Sequence, residues 1–163
     1  MKPIIPAVVA TAMLAVLPAA AQDAGQPALA PSTGPIAMPP PSPPDYPGLG
    51  EIMTLQQLRH IKLWFAGHNG AWALADYEVG ELGEGFEGVN KLLGGDMVET
   101  MVGGPMHDLQ KAVDAKDSAA FTAAYESLTA GCNNCHHALD HAFIAIHRPT
   151  SLPYSDQSFA APK

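Results

Sequence analysis

The two cysteines of the chain stand three residues apart, and a histidine follows directly: Cys132-Asn133-Asn134-Cys135-His136, within "GCNNCHHALD". Several chemistries use such a group. Haem attachment needs two thiols that reach the two vinyl groups of a porphyrin and an imidazole beneath the iron, and C-x-x-C-H supplies all three at that spacing. A redox dithiol of the thioredoxin kind shares the C-x-x-C spacing but sits in a βαβ unit. A structural zinc ion needs four protein ligands, so two histidines would have to join the cysteines; His137, His141 and His147 are at hand. A disulfide between Cys132 and Cys135 would close so short a loop that it constrains little chain. On a helix the three motif residues fall at i, i+3 and i+4 and share one face.

The elements that must position this face read as helices. Phe121, Tyr125, Leu128, Cys132, His136 and Leu139 keep helical spacing behind Asp117, a good N-cap. An earlier segment carries Trp72, Ala75, Val79, Leu82, Phe86, Val89 and Leu93 at alternating spacings of three and four, with Asp76, Glu78, Glu81, Glu84 and Glu87 largely on other faces. Gly80, Gly83, Gly85 and Gly88 are costly inside such a helix and point to close approach of a neighbour. A third segment, from about Gly95 to Lys116, is interrupted at "VGGP", where Pro105 predicts a kink or a fresh start; Met97, Met101 and Met106 read as core filler. The first, from about Glu51 to His68, has two stripes. Met53, Gln57, His60, Trp64 and His68 form one, and Leu55, Leu58, Ile61 and Phe65 the other. No stretch alternates in the manner of a strand. The pattern predicts an all-α fold, an antiparallel four-helix bundle. An apolar cofactor between helices would account for the second apolar face of the first one.

The flanks read differently. Residues 1–21, with Lys2, the apolar run "IIPAVVATAMLAVL" and small residues before Gln22, predict a cleaved signal peptide and hence an exported, periplasmic protein. The apolar run is too short for a comfortable membrane span. Residues 22–50 are Pro-rich and nearly uncharged, a linker arm without core-forming periodicity. Residues 51–148 are the bundle, and 149–163 an extended tail carrying Leu152, Tyr154 and Phe159. The formal net charge of −8 argues against a nucleic-acid partner and suits docking to a basic one.

With C-N-N-C-H near the end of the last of four helical segments, the sequence resembles the class II, bundle-type c-type cytochromes, of which cytochrome c prime is the best known. "KLWFAG", "WALADYE" and "EGFE" are similar to stretches of small bacterial cytochromes of unassigned role. The resemblance implies one haem c, joined to Cys132 and Cys135, with His136 as the proximal iron ligand. It places the distal residue on the first helix, where His60 is the candidate ligand and Met53 shares its stripe. It also implies a possible homodimer through the first two helices. Four positions after the motif histidine, where the family usually has a basic residue, the chain has Asp140. Bundle relatives with six-coordinate iron transfer electrons.

The expected function is a periplasmic monohaem electron carrier, not an enzyme, exchanging electrons with redox partner proteins and held in bis-histidine coordination by His136 and His60. A haem protein that binds nitric oxide or carbon monoxide at an open distal site is the alternative, and a cofactor-free adaptor using the Pro-rich arm is a third. Of the other histidines, His68 reads as a helix-ending residue, and His107, His137 and His141 as solvent-facing. Trp64 and Trp72 read as packing residues, one of them in reach of the cofactor.

Overall fold

The computed structural model describes residues 46–161, and the signal peptide and most of the Pro-rich arm lie outside them. Four α-helices account for the regular structure: α1 (Leu49–His68), α2 (Trp72–Leu93), α3 (Gly104–Ala115) and α4 (Ser118–Ala138). Among the described residues there is no strand, and no helix is long and apolar enough to cross a membrane.

Local chemistry sets most of the boundaries. The amide of Gly48 donates to the Glu51 carboxylate at 3.1 Å, which starts α1 two residues before the position expected from the sequence. Gly70, at φ 72°, turns the chain between α1 and α2. Asp117 caps α4 as expected, its carboxylate accepting from the amides of Ala119 and Ala120 at 2.9 and 3.0 Å. The break expected at Pro105 takes another form. A π-helical turn, Glu99–Gly103, runs into α3 with helical backbone at Gly103 and Gly104. Pro105 is thereby in the first turn of α3, where its missing N–H costs nothing.

The core lies where α1, α2, α3 and α4 meet. Leu63, Leu82, Leu109, Phe121, Tyr125 and Leu128 are all fully enclosed. The helices pack in a closed circuit, α1 on α2, α2 on α3, α3 on α4 and α4 on α1. Between α1 and α2 the pairing is partly polar. Buried Gln56 donates to the Leu82 carbonyl at 2.8 Å, and Arg59 pairs with Glu81 at 2.7 Å. One turn further along α1, Lys62 pairs with Glu78. Glu78 was expected on an outward face; it is completely buried, and burial raises its pKa. A Cβ at Gly85 would overlap the Gln56 side chain, whereas Gly80 and Gly83 meet nothing. Close approach therefore explains Gly85, and also Gly88 against Ile52 and Tyr46, but not the other two.

Of the second α1 stripe only Phe65 packs against the core: Leu55 is exposed, and Leu58 and Ile61 are half-buried. After α4 the chain runs on as an irregular strap, residues 139–161. Asp140, at φ 59°, turns it away from the helix. It is anchored at Arg148, which pairs with Glu126 and lies 4.5 Å from the Trp64 ring centre. It is anchored again at Phe159, which is buried edge-on to Phe65.

Candidate functional site

The α4 stripe has two halves with different neighbours. Phe121, Tyr125 and Leu128 enter the core. One turn on, Cys132, Cys135, His136 and Leu139 face a cavity of about 410 Å³ instead. That is within the roughly 300–1,000 Å³ range of cofactor-sized sites. Its remaining walls come from α1, α2, the π-turn and the strap: Met53, Gln57 and His60 of α1, Phe86 and Val89 of α2, Met101 and Val102 of the π-turn, Ile144 and Ile146 of the strap. The lining is mostly apolar, so a bound group would sit away from water.

Two backbone features shape the motif end. The π-turn presses so closely on α4 that a Cβ at residue 131 would overlap the Met101 carbonyl oxygen, which is why a glycine precedes Cys132. The π-turn thus brings Met101 and Val102 to the cavity wall; Met101 packs against the core as expected and lines the cavity as well. The strap then passes back over His136. Its Nδ1 is 2.8 Å from the Ile144 carbonyl oxygen. A carbonyl can only accept, so Nδ1 carries the proton and Nε2 keeps its lone pair. A histidine that gives one ring N–H to a backbone carbonyl and keeps the other nitrogen free is set up as a metal ligand.

The two thiols are free and half-buried. Burial pushes Cys132 up to about 12 and also raises Cys135. A reactive dithiol needs the opposite shift, toward thiolate, so the site is poorly built for disulfide exchange. Nor do the histidines gather for zinc: among the described residues no three His, Cys, Asp or Glu side chains are grouped to hold a metal ion. His141 is half-buried at the cavity rather than in solvent, with its Nδ1 bonded to the Leu139 carbonyl.

Family models, curated proteins and solved structures contain no match to this chain.

His60 and Met53 both line the cavity, and they differ in what else holds them. His60 is buried, and both its ring nitrogens are engaged by α4. Tyr125 Oη is 2.8 Å from Nδ1, and Thr129 Oγ1 is 2.9 Å from Nε2. Thr129 spends its own proton on the Tyr125 carbonyl at 2.9 Å. Tyr125 Oη also donates to the His60 carbonyl oxygen at 3.1 Å, so the imidazole, the phenol and the threonine hydroxyl form one closed network. Burial lowers the His60 pKa to about 4, so the ring is neutral near pH 7. Half-buried Met53 has no hydrogen bond that competes for its thioether. Trp64 and Trp72 lie apart from the cavity. Trp64 packs on Tyr125, Phe121 and His68, and Trp72 packs edge-on to Phe121. His107 and His137 are exposed as expected. Sequence reasoning missed Thr129 and Tyr125 as partners of His60, although they stand one and two turns ahead of Cys132 on the same helix.

Proposed function

We propose that this chain is a monohaem c-type cytochrome that carries electrons in the periplasm, built as an antiparallel four-helix bundle with the haem between its helices. One observation carries the proposal. Both motif thiols and a histidine with a free Nε2 face a single apolar cavity walled by α1, α2, α4 and the strap. The residues fit the group: Cys132 and Cys135 would hold it through thioethers, and His136 Nε2 would bind the iron. The haem, when bound, supplies a one-electron couple. The chain's own residues do the rest. The mostly apolar wall would limit water around the bound group, and the Ile144 carbonyl accepts from the His136 ring. Reversed pairing along α1 and α2, Gln56 with Leu82 and Lys62 with Glu78, supports the antiparallel arrangement. The charge of −8 suits a redox partner with a basic docking face.

Of the two cavity-lining candidates for a second iron ligand, Met53 is the less engaged by neighbouring groups. Ligation by His60 Nε2 would break its bond to Thr129 inside a tightly packed interface, whereas Met53 gives up nothing comparable. A thioether paired with histidine would supply an electron-transfer ligand set that raises the potential.

The decisive measurement is the mass and optical spectrum of the mature chain, made in a host that attaches haem to exported proteins. One covalently added haem is expected. A chain that leaves that host without haem and binds zinc instead overturns the proposal.

A further inference from the structure

The two residues between the cysteines are free to vary in a C-x-x-C-H motif, since neither thiols nor imidazole depend on them. Here the first of them is engaged in both directions. Asn133 Nδ2 donates to the Ile146 carbonyl at 2.9 Å, and the Ile146 amide donates to Asn133 Oδ1 at 2.7 Å. The Asn133 side chain is half-buried. It thus holds one strap residue with both hydrogen-bonding groups, as a neighbouring strand would. Two residues before that clasp is Ile144, whose carbonyl takes the Nδ1 proton of His136 at 2.8 Å. The strap has no helix or sheet of its own; upstream, Ile144 is held by turn bonds alone, its amide donating to the His141 carbonyl at 2.8 Å and the His141 amide to the His136 carbonyl at 2.7 Å. The next anchor, Arg148 to Glu126, is exposed, and an exposed pair is worth little. Upstream, the strap leaves α4 through the left-handed turn at Asp140.

We propose that Asn133 is a positioning residue for the His136 imidazole. It clamps Ile146 to α4, and so fixes the carbonyl of Ile144 where it accepts from His136 Nδ1–H. The proposal rests on the reading of His136 as the iron ligand. A fixed acceptor on Nδ1 orients the ring and raises the basicity of Nε2. Strengthening that donor favours the oxidised iron, so the clamp would lower the reduction potential.

Asn133→Ala keeps the C-x-x-C-H pattern, so haem attachment is not disturbed by design. The test uses the full-length exported protein and follows two protons by hydrogen-exchange NMR in the reduced state: the Ile146 amide and His136 Nδ1–H. Both protons exist whether or not haem is attached. Haem content, scored separately by mass, therefore tells a failure of the haem reading from a failure of this one. In Asn133→Ala both protons are expected to exchange about tenfold faster, as fits the loss of one to two buried hydrogen bonds, and the midpoint potential of the haem-loaded protein rises. Asn133→Asp keeps the acceptor for the Ile146 amide and loses the donor, so it is expected between wild type and alanine; it carries the test if the alanine variant does not fold. Arg148→Ala loosens the strap beyond the clamp and is expected to leave His136 Nδ1–H at the wild-type rate. An unchanged His136 Nδ1–H rate in both Asn133 variants overturns the proposal. So does an Arg148→Ala rate as fast as that of Asn133→Ala, which would mark general loosening.

Discussion

The Tyr125 phenol of α4 is hydrogen-bonded to His60 of α1 twice, at 2.8 Å to Nδ1 and 3.1 Å to the backbone carbonyl, out of solvent. Burial keeps the phenol protonated and the imidazole neutral. This pair, completed by Thr129, ties α1 to α4 immediately above the cysteine motif. It makes an acid-sensitive joint. The His60 pKa is about 4 in the fold, against an ordinary 6.5. Between those values the unfolded chain takes up a proton that the folded chain refuses. Stability from this residue is therefore complete above pH 6.5 and is lost as pH falls to about 4, by about 3 kcal/mol. Urea unfolding at neutral pH and near pH 4.5 should show the loss, and His60→Gln should show a shallower one. An equal slope in both proteins would remove His60 from the account.

The sixth iron position separates Met53 from His60 by spectroscopy. With haem bound, Met53→Ala is expected to turn a low-spin spectrum high-spin and to open the reduced protein to carbon monoxide. His60→Ala should keep the low-spin spectrum but lower stability by about 1–3 kcal/mol, since it leaves buried Tyr125 and Thr129 groups without their partner. The reverse result restores bis-histidine coordination. A wild-type protein already high-spin and reactive with carbon monoxide favours a gas-binding role.

Lys62 and Glu78 form a pair whose acidic member has no exposure at all, with its other carboxylate oxygen lacking any hydrogen-bond partner. Removing only Lys62, as in Lys62→Met, should cost about 3–5 kcal/mol at neutral pH, and Lys62→Met/Glu78→Leu should recover most of it. The single variant keeps a buried carboxyl whose pKa is raised above 4.5 by burial. Its penalty is accordingly smallest below that value and grows as pH rises and the unfolded chain ionises. Thermal melts at two pH values suffice; a single-variant loss below 1 kcal/mol, or no recovery in the double, would refute the argument.

Two glycines of α2 should respond with opposite signs. Alanine at Gly85 collides with Gln56 and forces its buried amide off the Leu82 carbonyl, which should cost about 1–3 kcal/mol. Alanine at Gly80 meets nothing and should stabilise by up to about 1 kcal/mol through helix propensity. Melting temperatures of the two variants check the pair directly.

Much of this was legible as periodicity. The α2 and α4 stripes, the Asp117 cap and the all-helical class follow from spacing and short-range chemistry. Spacing also put Cys132, Cys135 and His136 on one face. What periodicity conceals is the identity of the neighbour. Glu78 reads as outward because glutamate usually is, yet Lys62 on another helix draws it inside. Spacing places His60 on an α1 stripe but does not reveal its partners, because Tyr125 and Thr129 approach only when α1 meets α4. The strap carries no periodic signal at all, so its hold on His136 through Ile144 had none to find. Gly131 carries a faint one, a glycine inside a helical stripe, which becomes meaningful only against the Met101 carbonyl.

The walls of the cavity are drawn from residues as far apart in the chain as Leu49 and Ile146, so it comes into being only when the molecule is nearly complete. Cys132 and Cys135 are by then half-hidden beneath their neighbours. On the proposed reading, thioethers to Cys132 and Cys135 would form most readily before the strap closes over the cavity.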